Sequence, residues 1–174
     1  MEVWPDTDPH LTESLEENMQ RINYHATNKD LFKALLTAQS YLENATIERN
    51  LMHLIDMRVS QINGCAYCLD MHSKDLRHEG DSEQRLYLLS AWREAGDLFT
   101  PRERAALGWA EAVTRLTEQE VPDAVYADAR EQFSEAELAD LTYVITMINT
   151  WNRFNVAFRT PAGSYQPGQH SAAA

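Results

Sequence analysis

Apolar residues recur at three- and four-residue spacing along most of the chain, and no stretch shows a convincing strand alternation. A first helix is predicted from about Asp8-Pro9 to Tyr24, and a second from Asn28 to Leu42, where Leu31, Leu35, Ala38 and Leu42 share one face. A third begins near Thr46 and carries Ile47, Leu51, Leu54, Ile55, Val59 and Ile62 as far as Asn63-Gly64, a pair that favours a left-handed break. Cys65 follows that break at once and starts a fourth helix that reaches Glu79 and is closed by Gly80. Ser82 caps a fifth, which passes Leu86, Leu89 and Trp92 on its way to Gly96. Thr100-Pro101-Arg102-Glu103 and Ser134-Glu135-Ala136-Glu137 are capping boxes, opening helices that end near Leu116 and Asn155. Pro122 opens a shorter one through Phe133.

The sum is an all-α chain of about eight helices with no internal repeat. At 174 residues it is sized for one domain that buries roughly 70% of its unfolded surface, placed here at residues 1–160. The tail, 161–174, is rich in Pro, Gly, Ser and Gln, ends in Ala-Ala-Ala, and is expected to be loosely ordered and without chemistry unless a neighbouring subunit holds it.

Charge narrows the partners. Fifteen basic residues against 27 acidic ones leave a net charge of -12, which repels nucleic acid and anionic membrane surfaces. No apolar run approaches the ~20 residues of a membrane span, and Met1-Glu2-Val3-Trp4-Pro5-Asp6 lacks the basic start of a secretion signal, so a cytoplasmic location is expected. No phosphate-binding glycine loop or flavin fingerprint occurs, and no cofactor is expected.

The chemistry concentrates in Asn63-Gly64-Cys65-Ala66-Tyr67-Cys68-Leu69-Asp70-Met71-His72. Cys65 and Cys68 are the chain's two cysteines, and a pair three apart closes too small a loop to staple a fold of this size. On a helix, Cys65, Cys68 and His72 fall within about 60° of one another. Unpaired N–H groups at the helix start and a neighbouring imidazole both favour thiolate over thiol. A thioredoxin-like site would need a strand before the first cysteine, and the flanks here are helical. A zinc site could draw on Cys65, Cys68, His72 and His53, but no second CxxC or HxxxH supplies the usual separate ligand pair, and no metal is assigned. Two buried cysteines acting as small hydrophobes beside a histidine are the remaining inert alternative. Among redox roles the residues leave one question open: Cys65 lies nearer the helix start, while Cys68 has the better geometry towards His72.

The segment from Arg58 to His72, together with Trp92-Arg93-Glu94, with Phe99 through Leu107 and with Asn149-Thr150-Trp151-Asn152-Arg153, resembles an alkyl hydroperoxidase D-like member of the carboxymuconolactone decarboxylase superfamily. The resemblance spans most of residues 47–158. It implies an oligomeric all-helical peroxidase, a homo-trimer or homo-hexamer, that reduces an organic hydroperoxide. In that scheme Cys68 attacks the peroxide, Cys65 resolves the sulfenic acid, His72 serves the proton relay, and an external dithiol, protein or lipoyl-type, regenerates the pair. Two departures stand out. His53 occupies the place, twelve residues before Cys65, where such proteins typically carry a glutamate, and Tyr67 stands where the founding enzymes have histidine. Imidazole at 53 would titrate near neutrality, and Asp56, one i+3 step on, could orient it or pair with it on the surface. Tyr67 is a weaker base that passes a proton or simply packs. Trp92, Trp109, Trp151 and Phe154 line the dithiol pocket or, more commonly for such residues, fill the core. Asn152 and Arg153 read as contacts between helices or subunits. The alternatives are a decarboxylase acting on a cyclic acid, or a redox-sensing or metal-binding protein without turnover.

Overall fold

In the computed structural model, which describes residues 20–169, the chain folds into eight α-helices joined by short turns, with no strand among the described residues. They are α1 (Tyr24–Thr27), α2 (Lys29–Ser40), α3 (Arg49–Asn63), α4 (Ala66–His78), α5 (Glu83–Leu88), α6 (Pro101–Arg115), α7 (Asp123–Gln132) and α8 (Glu135–Phe158). None is long and apolar enough to cross a membrane. The helix expected over Asp8 to Tyr24 lies outside the described residues up to position 19. Residues 20–23 are irregular, and Asn23 starts a new turn by accepting the Ala26 N–H through its side chain.

α3 is the central element, packed against α4, α6 and α8. Its Leu54, Ile55 and Val59 are fully buried, and they meet Leu107 and Ala110 of α6 and Leu141, Val144 and Ile145 of α8 in one apolar core. The burial of each such leucine, isoleucine or valine contributes about 1.5–3 kcal/mol. A polar seam then fixes the register of α3 on α8. Asn63 donates to the Oδ1 atoms of Asn149 (3.0 Å) and Asn152 (2.9 Å), and Asn152 donates to Ser60 Oγ at 3.0 Å. Any slip along the helices would leave the buried Asn152 and Ser60 unpaired. Asn152 is therefore an interhelical contact, while Arg153 folds back onto Asn149 of its own helix.

Both capping boxes form: Thr100 with Glu103, and Ser134 with Glu137, each exchanging two hydrogen bonds. The expected third helix starts three residues later than its apolar pattern, because Thr46 gives its N–H and hydroxyl to Asp140 on α8. The expected fifth helix breaks after Leu88 into turns. The Arg104 guanidinium takes the carbonyls of Trp92 and Arg93, which would otherwise continue the helical ladder, and the Trp92 indole turns to Glu111. Tertiary partners override local propensity here.

The stretch 161–169, expected to be loose, is strapped to the outside of α4 instead. Lys74 Nζ donates to the carbonyls of Gly163 (3.1 Å) and Tyr165 (3.0 Å), Asp70 accepts the Gly163 N–H at 3.0 Å, and the buried Tyr165 gives its hydroxyl to Asp75 at 2.7 Å.

Candidate active site

Gly64 places the first sulfur. α3 ends there in the left-handed conformation, φ 67° and ψ 33°, which a residue without Cβ adopts freely. The chain turns, and Cys65 becomes the N-cap of α4, its Sγ accepting the Cys68 N–H at 3.3 Å. The two Cα atoms stand 5.4 Å apart, and the sulfurs are joined as a disulfide, so an i,i+3 pair at a helix start closes within ordinary disulfide reach. Both cysteines are buried.

His72 follows Cys68 by one helical turn and is buried, and neither of its ring nitrogens has a hydrogen-bond partner. Its Nδ1 lies 3.8 Å from Asp56 Oδ2 on α3. Burial, and secondarily the ring of His53, pushes the His72 imidazole down to about 3, so it rests neutral. Burial, followed by the charge of Asp75, raises the Asp56 carboxyl well above its ordinary value. The pair thus favours its uncharged forms. Asp56 is not the partner of His53. Because α4 runs back along α3, the early part of α3 faces the end of α4, and His53 Nδ1 sits 3.1 Å from Glu79 Oε2. The two imidazoles lie 6.0 Å apart, with His53 and Glu79 partly open to solvent.

Tyr67 is half-buried; burial and the charge of Asp70 raise its phenol. It lies close enough to Tyr24 for the two to influence each other electrostatically. Tyr24, from α1, gives its hydroxyl to Asn155 Oδ1 at 3.2 Å, and Asn155 Nδ2 donates to Cys68 Sγ at 3.5 Å. Neither residue was singled out by sequence pattern. Tyr24 closes the first predicted helix with nothing to mark it for chemistry, and the signal available for Asn155 was an amide between Phe154 and Val156 in the last turn of a long helix.

The aromatic side chains are distributed over the interhelical seams rather than gathered into a wall. Trp92 gives its N–H to Glu111, Trp109 to Thr142 and Trp151 to Gln39, while Phe154 packs its ring 5.0 Å from that of Tyr24. Among the described residues, no group of three or more His, Cys, Asp or Glu side chains is arranged to hold a metal ion. The arrangement can carry dithiol–disulfide chemistry at a buried sulfur pair, with a neutral imidazole to accept a proton beside it.

Residues 28–112 match the carboxymuconolactone decarboxylase family model. The chain is 40% identical over 145 residues to the uncharacterized protein YdfG of Bacillus subtilis strain 168, covering 83% of this chain and 98% of that one. A crystal structure from Agrobacterium tumefaciens, described as a protein of unknown function and candidate antioxidant defence protein AhpD, is 43% identical. It superposes with a TM-score of 0.80 over 84% of this chain and 100% of that one. An uncharacterized peroxidase-related protein from Ralstonia eutropha JMP134 with an AhpD core is 22% identical and shares the fold, with a TM-score of 0.71 over 80% of this chain and 74% of its own.

Proposed function

The chain belongs to the carboxymuconolactone decarboxylase family, and from that premise we propose that it is a thiol-dependent alkyl hydroperoxide reductase. The observation that carries the reading is the Cys65–Cys68 disulfide at the start of α4 with His72 one turn on. In the reduced protein the neutral His72 accepts the Cys68 proton, and the thiolate attacks the outer oxygen of a hydroperoxide. The O–O bond breaks, the alkoxide takes the proton back from His72 and leaves as alcohol, and Cys68 becomes a sulfenic acid. The Cys65 thiol then displaces that oxygen as water and closes the disulfide.

His53 and Glu79 form the solvent-facing end of the relay, and Asp56 borders His72 Nδ1 at 3.8 Å. Tyr67 borders the site from the same turn as the cysteines. With two cysteines in the chain, electrons must come from outside, from a protein or lipoyl-type dithiol. The working unit is a homo-trimer or homo-hexamer, which agrees with α2, where no residue is buried and Leu31 and Leu36 remain 37% and 47% exposed.

Reduced protein treated with one equivalent of cumene hydroperoxide should rapidly lose two hydrogen atoms by intact mass, localised by peptide mapping to a Cys65–Cys68 link. An unchanged mass over minutes overturns the reading. Light scattering should give three or six subunits, and a stable monomer would contradict the assembly.

A further inference from the structure

We propose that Asn155 is a catalytic residue that stabilises the Cys68 thiolate through its side-chain N–H, and that Tyr24 is the positioning residue that turns the amide to do so. The inference deepens the peroxidase reading, since it concerns the sulfur assigned there to attack.

The two contacts use opposite ends of one amide: the Tyr24 hydroxyl donates to Asn155 Oδ1 at 3.2 Å, which occupies the oxygen end. The nitrogen is left pointing at Cys68 Sγ, 3.5 Å away. All three groups are shielded from water, with exposures of 3% for Tyr24, 5% for Asn155 and 0% for Cys68. A buried thiolate has lost its hydration and must be repaid by oriented donors, and a fixed amide dipole does this without reorganising as charge develops. Sulfur in a disulfide is a weak acceptor and a thiolate a strong one, so the contact strengthens on reduction.

The ionisable groups near this end include Tyr67, Asp70, His72 and Asp75 on the cysteines' own helix with Glu79 at its end, Asp56 and His53 on α3, and Tyr24 on α1. From α8 the contact to the sulfur is Asn155 itself, which carries no titration, so its effect is constant with pH. Tyr24 is anchored independently of the amide by its packing against Phe154 and Phe158, at 5.0 and 5.8 Å between ring centres. Tyr24→Phe therefore removes the hydroxyl and keeps the ring.

The test is an ultraviolet titration of the thiolate in the Cys65→Ser chain, where Cys68 is the sole thiol. Asn155→Ala should raise the midpoint by about one pH unit, a roughly tenfold smaller thiolate fraction at neutral pH, as expected for losing one hydrogen bond to a charged acceptor. Tyr24→Phe should move it in the same direction by less, about threefold in thiolate fraction. Midpoints that overlay the parent in Tyr24→Phe and in Asn155→Ala overturn the proposal. Should Asn155→Ala not fold, Tyr24→Phe decides alone, a raised midpoint supporting the proposal and an unchanged one overturning it. The titration uses no peroxide, so a parent that titrates as described but fails to consume cumene hydroperoxide refutes the peroxidase reading and leaves this one standing.

Discussion

His72 Nδ1 lies 3.8 Å from Asp56 Oδ2, across the seam between α4 and α3, in surroundings that favour the uncharged form of both. The two groups pull stability in opposite directions with pH. His72 is held down to about 3 in the folded chain against 6.5 for the free group, so the unfolded state binds the extra proton and stability falls as pH drops from about 6.5 towards 3. Asp56 is raised, so the folded state holds the extra proton just above 3.8 and stability falls as pH rises through that range. Denaturant midpoints recorded across mildly acidic pH should flatten in His72→Gln and steepen in Asp56→Asn. Parallel curves for all three chains would show that the pair carries no linked protons.

Glu111 holds a different balance. Its carboxylate accepts from Arg58 Nε (2.8 Å) and Nη2 (2.6 Å), Trp92 Nε1 (3.0 Å), Arg93 Nη1 (2.6 Å) and Arg115 Nη1 (3.1 Å). Although burial opposes ionisation, hydrogen bonds from Arg93, Trp92 and Arg58 bring the carboxyl down to about 2. Its stabilising contribution is complete above pH 4.5 and is lost as pH falls from there towards 2. Glu111→Gln leaves the buried Arg58 without its counter-charge and should cost about 3–5 kcal/mol at neutral pH, measured by denaturant unfolding. A loss below 1 kcal/mol, roughly a surface ion pair, would mean that Arg58 finds another partner.

Gly64→Ala tests the turn in front of Cys65. Nothing lies within 4 Å of a Cβ added there, so the whole penalty is that of a left-handed backbone. It should be about 1–2 kcal/mol, a fall of roughly 2–8 °C in Tm for a chain of this size. An unchanged Tm would show that the turn relaxes into another conformation.

The strap over α4 makes a fourth test. Tyr165→Phe removes the hydroxyl from Asp75 at 2.7 Å and should cost about 1–2 kcal/mol, with faster amide exchange in 161–169 and in the second half of α4. Exchange that rises in the strap alone would show that α4 does not depend on it.

Much of this was legible in the sequence, for local reasons. The capping boxes at Thr100 and Ser134, the glycine after Asn63 and the one-face placement of Cys65, Cys68 and His72 are short-range features, and the helices they predict are present. What the pattern missed was set from a distance. Arg104 unwinds the fifth helix by capturing its carbonyls, Lys74 and Asp75 recruit the tail, and Glu79 reaches His53 across 26 positions. Asn155 and Tyr24 come from opposite ends of the described chain and meet at a sulfur between them, a juxtaposition that periodicity does not encode.

The cysteine pair and its histidine lie within one helical hairpin, Arg49–Asn63 followed at once by Ala66–His78, whereas Asn155 arrives from α8. This sets an order of assembly. A pair with two residues between its members needs no tertiary contact to close, and neighbouring helices dock before distant ones. During synthesis the two sulfurs can therefore be brought together while the ribosome still holds the last helix. The two sulfurs thus stand together before α8 brings the Asn155 amide to Cys68, so the amide is an addition to a pair already in place.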